Sequence, residues 1–212
     1  GYVYQVNYTQ RFQANVEGTL RSMTQAPNES FPPHSIYVRL GPIEIMSLSP
    51  ERFLRMEGNR IFTEPIKGTR PRGKTQIEDE TYKAELLDSE KDRAEHAMIV
   101  DLERNDLNRI CEPGTVSVPR MMKLRSFPTV HHLVSRVRGT LRTGITPGEI
   151  FRETFPGGSI TGAPKHTALR VINCLESRRR GVYTGTIGYW DLNRQVADWN
   201  IAIRTLVKLG NQ

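Results

Sequence analysis

The chain has 212 residues, 37% of them hydrophobic, and a formal charge of +7. That length suits one large domain or two small ones, and the apolar fraction is low for a globular protein but too high for a disordered one. No run of about 18 apolar residues occurs, which excludes a membrane-spanning helix, and two distant cysteines, Cys111 and Cys174, exclude a secreted disulfide framework and point to a reducing cytoplasm.

The charge is uneven. Residues 103–212 carry 17 Lys and Arg against 8 Asp and Glu, whereas residues 1–102 carry 13 against 15. Such a basic half concentrates small anionic ligands. Nucleic acid is the weaker reading, because the basic residues are dispersed apart from Arg178, Arg179 and Arg180, and no zinc finger, RNP pattern or aromatic–basic stripe is present.

The chain opens at Gly1 without an initiator Met, already in a strand-like alternation, which reads as a fragment lacking its upstream part. Tyr2, Tyr4, Val6 and Tyr8 share one face of a strand predicted over residues 1–14, and Val3, Gln5, Asn7 and Thr9 share the other. That polar row is either solvated or lines a pocket. A short helix is expected within 15–24 and a loop over the Pro-, Asn- and Ser-rich residues 25–35. Residues 36–49 hold one or two strands.

Residues 50–73 are the chemically densest stretch. Glu51 to Met56 and residues 60–64 read as a hairpin around the turn residues Glu57, Gly58 and Asn59. Glu51 and Lys67 then bracket that hairpin on one side. Pro65 is expected to end ladder pairing unless it lies at a sheet edge, and Lys67 follows just past the hairpin, read as a loop lysine. Gly68 allows close backbone approach, Thr69 offers a hydroxyl, and Arg70 and Arg72 add charge. Lys67 reads either as a solvated loop lysine or as an amine whose neutral form is a nucleophile.

Two helices follow, over 78–87 and from the Ser89 cap toward Asn108. Ala94, Met98, Leu102 and Val100 are the expected apolar stripe of the second. Asp92 and Glu95 lie one turn apart on a neighbouring stripe, where they form either a solvated salt-bridged face or part of a Mg²⁺ site. Residues 126–138 alternate as a strand, and periodicity does not decide whether His131 or His132 faces a pocket. Thr146-Pro147-Gly148-Glu149 is a helix start with cap, proline and capping-box glutamate. The glycine-rich run 156–165 enters a helix predicted over 164–180, with Ala168, Val171, Ile172 and Leu175 inward. Its free amides suit an anion, although the spacing fits neither a P-loop nor a dinucleotide fingerprint. A closing hairpin pairs 182–190 with one strand over 195–208, near whose end Arg204 either binds a carboxylate or lies at an exposed end. The order of elements suits an α+β fold, mostly antiparallel sheet with helices packed outside.

Several of these segments, taken together and in this order, resemble the chorismate-utilising enzymes: GYVYQVNYTQRF (1–12), SPERF (49–53), PIKGTRPRG (65–73), DRAEHAMIVDLERNDLNRI (92–110), HLVSRVRG (132–139), FPGGSITGAPK (155–165), YTGTIGYWD (183–191) and IRTL (203–206). The resemblance spans the whole chain. It implies an α+β antiparallel β-sheet sandwich with helices outside, like anthranilate synthase component I, here in truncated form as one partial catalytic domain over 1–212. It also implies Mg²⁺ held on the side of Asp92 and Glu95, Glu51 as general acid toward a departing C4 hydroxyl, Thr69 beside it, and His132 near the reacting ring. Tyr183 and Arg204 would hold substrate carboxylates, and Gly157, Gly158, Thr161, Gly162 and Ala163 would belong to the pocket-side loop.

Two positions separate the subfamilies. Gln5 stands where isochorismate and salicylate synthases place a water-activating lysine. Lys67 stands in P-I-K-G-T, as in aminodeoxychorismate synthase component I, where anthranilate synthases read P-I-A-G-T. The resemblance therefore implies amination of chorismate through a lysine adduct, with ammonia from a glutamine amidotransferase partner or from solution, on the route to 4-aminobenzoate and folate. The alternatives are anthranilate synthase component I and a catalytically incomplete anion- or partner-binding domain. Family enzymes continue into a glycine-rich segment and a glutamate-bearing helix that supply further Mg²⁺ ligands, so residues 1–212 alone are expected to act on chorismate poorly.

Overall fold

A computed structural model describes residues 1–24 and 31–210 of the chain. The elements are β1 (Gln5–Val6), β2 (His34–Leu40), β3 (Ile43–Ser49), β4 (Arg52–Glu57), β5 (Arg60–Glu64), β6 (Ile66–Pro71), α1 (Gln76–Asp88), α2 (Glu90–Asn108), β7 (Ser117–Ser126) and β8 (Val130–Thr140). They continue with α3 (Pro147–Thr154), β9 (Gly162–Ala163), α4 (Lys165–Leu175), β10 (Thr186–Asp191), β11 (Val196–Ile201) and β12 (Thr205–Leu209). Single 3₁₀ turns lie at Ser22–Thr24 and Gly158–Ile160.

A seven-stranded antiparallel sheet runs β10-β11-β4-β5-β8-β6, with β7 also on β8. A three-stranded sheet runs β12-β3-β2, and β1 pairs with β9. α1 and α2 both lie against β6 and β8. The expected α+β class, antiparallel sheet with helices packed on it, is what the chain adopts. Among the described residues no helix is long and apolar enough to cross a membrane, and the two cysteines are free, Cys111 buried and Cys174 exposed.

Local chemistry explains the helix starts. Thr75 and Ser89 accept hydrogen bonds from the amides of Glu78 and Asp92, both at 3.2 Å, and Thr146 with Glu149 completes the capping box. Each satisfies donors that the first helical turn leaves open.

The β4–β5 hairpin orders both faces of the large sheet. Phe53 packs toward the helices in a core with Ile61, Val100, Leu107, Val137, Phe151 and Trp199. On the opposite face Arg52 pairs with Asp198 at 2.9 Å and with Glu64, while Arg136 reaches Glu64 at 2.7 Å. Both guanidinium groups lie over the Phe62 ring, an attraction that adds to the ion pairs.

Several expectations are corrected. Residues 1–14 do not form a strand: only Gln5 and Val6 pair, with Ala163 and Gly162, and Tyr2, Tyr4 and Tyr8 are exposed. Residues 15–24 contain a 3₁₀ turn rather than an α-helix. The predicted loop over 25–35 falls largely outside the described residues, and β2 already begins at His34. Pro65 does not end pairing. It bends the chain out of β5, and β6 then pairs with β8, so Lys67 lies on a strand. The buried residues of α2 are His96, Ile99, Val100, Glu103, Asp106 and Leu107, a stripe rotated from the one expected, with Ala94 exposed. α4 ends at Leu175, which is exposed, short of Gly181. The predicted strand over 195–208 is two: Arg204 adopts φ 50°, and the chain leaves the large sheet there to pair as β12 with β3.

Asn200 joins the two sheets at that crossing. It is buried on β11, donates to His34 O at 2.9 Å and Ser47 Oγ at 3.1 Å, and accepts from the Ile187 amide at 3.1 Å. Replacing it by Leu removes three hydrogen bonds to partly or fully buried partners, of which Ser47 keeps another from Thr205, and is expected to lower unfolding stability by about 2 kcal/mol in urea titrations; a loss below about 0.5 kcal/mol would contradict this role.

Candidate functional site

The site is built around β6 and the N-terminal end of β4. Glu51 precedes β4 and Phe53 follows on the same face, so its carboxyl points toward the helices, and the residue is only 5% exposed. Burial pushes its pKa up to about 7. The Ser159 hydroxyl, the Lys67 ammonium and the Ile66 amide face it and pull the other way. Ser159 Oγ is itself buried without closing a hydrogen bond. Desolvation wins because an apolar interior penalises the ionised carboxyl more than these neighbours repay.

Lys67 reaches this place through a bulge. On β8 it stands opposite Leu133, whereas Thr69 stands opposite His132, with the register slipping between them. Gly68 absorbs the extra residue at φ 81°, and a Cβ there would lie 2.9 Å from Leu86. Successive residues of β8 face opposite ways, so the bulge sends Lys67 to the helix side and Thr69 to the other. Lys67 thus shares a face with Glu51. Its carbonyl takes a 3.3 Å contact from His96 Nδ1, and His96 Nε2 meets Ser135 Oγ at 2.6 Å. Burial first, and the Lys67 charge less, lower the His96 pKa, which keeps the ring neutral.

On the other face Thr69 Oγ1 and His132 Nδ1 are 2.9 Å apart. Burial lowers the His132 pKa, the Gly68 carbonyl opposes this, and Arg204 adds to the lowering. Arg204 therefore comes near His132; it is exposed, as an arginine at an open strand end can be, and has no carboxylate partner among the described residues. Of the two histidines, His131 is the structural one. It bridges Ser126 at 2.8 Å and Asp79 at 2.9 Å, while Asp79 also takes Arg72, Lys83 and the Gly73 amide.

The predicted site residues thus fall into separate groups. Glu51, Lys67 and Ser159 converge, and so do Thr69, His132 and Arg204. Gly157, Gly158, Thr161, Gly162 and Ala163 all lie in a buried segment, against Ile201 and Leu102. Gly162, at φ 135°, lies so close to the Gln5 carbonyl that a Cβ would be 2.1 Å from it. The Thr161 amide is already bonded to Gly158 O. The run 156–165 is therefore a packed segment, in contrast to the open anion cradle expected from its glycines. Gln5 bonds Asn7 at 3.3 Å and leaves Oε1 buried and unpartnered beside this loop. Tyr183 is half-buried.

Asp92 pairs with Arg70 at 3.2 Å, and Glu95 with Lys91 at 4.0 Å. Among the described residues no three metal-binding side chains gather. Mg²⁺ commonly takes one or two protein carboxylates, with water and substrate oxygens completing its shell. Asp92 and Glu95 fit such a partial seat, with Arg70 as the competing cation.

One buried acid escaped the sequence reading. Glu103 projects from α2 onto the face that carries Glu51, accepting from Thr63 Oγ1 at 2.8 Å. Burial and then the Glu51 charge raise its pKa well above the usual range. Next along α2, Asp106 meets Lys165 at 2.5 Å. Its place in the run 101–110 looks solvated, but Glu103 stands four residues after Ile99 and seven after His96, on the buried stripe.

The raised Glu51 pKa has a consequence for stability. Between pH 4.5 and about 7 the unfolded chain loses this proton while the folded chain keeps it, so the group costs stability as pH rises and adds no further cost above 7. A shift from 4.5 to about 7 corresponds to about 3 kcal/mol. Glu51→Gln is therefore expected to gain stability on its parent by about that amount between pH 4 and pH 8, read from urea unfolding at each pH. A gap that does not widen with pH would contradict the assignment.

Comparison with known proteins matches the family model "chorismate binding enzyme" over residues 1–212. The chain is 44% identical over 213 aligned residues to "Aminodeoxychorismate synthase component 1" of Salmonella typhimurium, covering 100% of this chain and 47% of that protein. It is 44% identical over 210 residues to "Anthranilate synthase component 1 1" of Haloarcula marismortui, covering 95% of this chain and 43% of that one. Among solved structures, anthranilate synthase component I of Streptococcus pneumoniae superposes with a TM-score of 0.74 at 37% identity, over 83% of this chain and 38% of that chain. The chain spans about half the length of the curated relatives it matches. It belongs to the chorismate-binding enzyme family.

Proposed function

We propose that the chain is catalytic sequence of an aminodeoxychorismate synthase component I, which converts chorismate and ammonia to 4-amino-4-deoxychorismate. The observation that carries this reading is Lys67 on the same face as a buried Glu51 whose pKa is raised to about 7. A lysine in the role of nucleophile and a carboxyl in the role of proton donor on one face are what a ring addition coupled to loss of a hydroxyl requires.

Lys67 Nζ, neutral, adds to C2 of the ring while Glu51 gives its proton to the C4 hydroxyl, which leaves as water. Ammonia then bonds to C4 and the C2–lysine bond breaks, releasing the product. The ammonium formed at C4 gives a proton back to the Glu51 carboxylate, which restores the starting acid. By the resemblance Arg204 and Tyr183 would hold a substrate carboxylate; Arg204 is exposed, so its side chain is open to solvent for such a contact. Asp92 and Glu95 would hold Mg²⁺, which neutralises a substrate carboxylate when bound. Gln5 cannot act as a base toward water, so hydroxylation in place of amination is not expected. A glutamine amidotransferase is the proposed source of ammonia, and the two unpaired cysteines suit a cytoplasmic setting.

Anthranilate synthase is the competing reading, favoured by relatives of that name at equal identity. Product analysis with the full-length enzyme, chorismate and ammonia separates the two. 4-Amino-4-deoxychorismate is expected, and anthranilate would overturn the proposal. In the same enzyme Glu51→Gln is expected to lower kcat by roughly 100- to 10,000-fold, and Lys67→Ala to remove most formation of the 4-amino product. Unchanged turnover by Lys67→Ala would defeat its role as nucleophile.

A further inference from the structure

Arg180 looks from the sequence like part of a solvated basic run, yet its side chain is only 14% exposed and that of its partner Glu176 only 7%. All five of its N–H donors have acceptors. Nε and Nη2 take the two oxygens of Glu176, at 3.0 and 2.6 Å. Nη2 also reaches Asn7 O at 2.7 Å, and Nη1 reaches Ile160 O at 2.9 Å and Thr184 Oγ1 at 3.5 Å. Glu176 Oε1 in turn accepts from the Thr9 amide at 3.1 Å. One ion pair therefore ties together the N-terminal segment, the loop before β9, the end of α4 and the turn before β10.

Three of these four segments carry a site group one residue or one bond further on, the end of α4 being the exception. Asn7 Nδ2 donates to Ser159 O at 2.8 Å and its amide to Thr161 O at 2.9 Å. Asn7 Oδ1 takes the Gln5 amide. Ile160 follows Ser159, whose hydroxyl faces Glu51, and Thr184 follows Tyr183.

We propose that Arg180, held by Glu176, is a positioning residue: it sets where Gln5, Ser159 and Tyr183 stand relative to Glu51. With every donor engaged inside the protein, it has none left for substrate and acts only through these groups. Lysine cannot replace it, because a compact ammonium offers three donors and lacks the planar fork that spans a carboxylate and separate carbonyls. The proposal rests on the chorismate reading only for the activity that is assayed.

The test uses the full-length enzyme with Arg180→Lys and the milder Glu176→Gln, read by amide hydrogen exchange and by steady-state kinetics. Arg180→Lys is expected to speed exchange at Asn7, Thr9 and residues 159–163 by at least about 10-fold while α2 keeps its protection. kcat is expected to fall at least about 10-fold with the product unchanged, and Glu176→Gln to move both in the same direction by less. Unchanged exchange at those amides would overturn the proposal. So would freed segments with native kcat, or protection lost evenly over the whole chain. If Arg180→Lys does not fold, Glu176→Gln decides by the same criteria. A parent enzyme that leaves chorismate untouched would defeat the functional reading, and the exchange data would still decide the anchoring.

Discussion

The carboxyl of Glu51 sits where water can barely stabilise its charge, and much of the surrounding architecture follows from that desolvation. A carboxyl kept protonated near neutral pH needs an apolar enclosure, and Phe53, Ile61 and the buried stripe of α2 supply it. It also needs neighbours that do not neutralise the effect. Ser159 and Lys67 face it without overriding burial, and Glu103, itself pushed toward the neutral form, adds no full charge beside it. Two buried acids on one face resist losing both protons.

The bulge at Gly68 is the second constraint. It lets one short strand serve both faces of the sheet, with Lys67 turned to the helices and Thr69 to His132. Without the slipped register, residues 67 and 69 would project the same way, as alternate residues of a strand do. The backbone thus divides the chemistry into a Glu51–Lys67 face and a Thr69–His132–Arg204 face, joined through the Gly68 carbonyl near the His132 ring.

Much of this was legible in the sequence where local physics dominates. The hairpin turn at Gly58 and the caps Ser89 and Thr146 follow from short-range patterns, whereas Lys67 shares a face with Glu51 only through the bulge against β8. The misses share a cause, which is that the deciding partner is distant. Residues 1–14 alternate like a strand, but only Gln5 and Val6 meet a partner. The run 195–208 is uniformly strand-forming, and nothing local says that Asn200 and Arg204 bracket a change of sheet. The burial of Glu103 and Arg180 was not legible because it depends on Thr63, Glu51, Glu176 and Asn7, up to 173 residues away. The family motifs named candidate positions, whereas the anchoring around them emerged only in three dimensions.

The central claim is the protonation state of one carboxyl, and it can be watched directly. In full-length protein carrying ¹³C-labelled glutamate, one carboxyl resonance, absent from Glu51→Gln, is expected to titrate near pH 7. Assignment of the Glu51 resonance to a carboxyl that titrates near 4.5, like an ordinary solvated glutamate, would contradict the account.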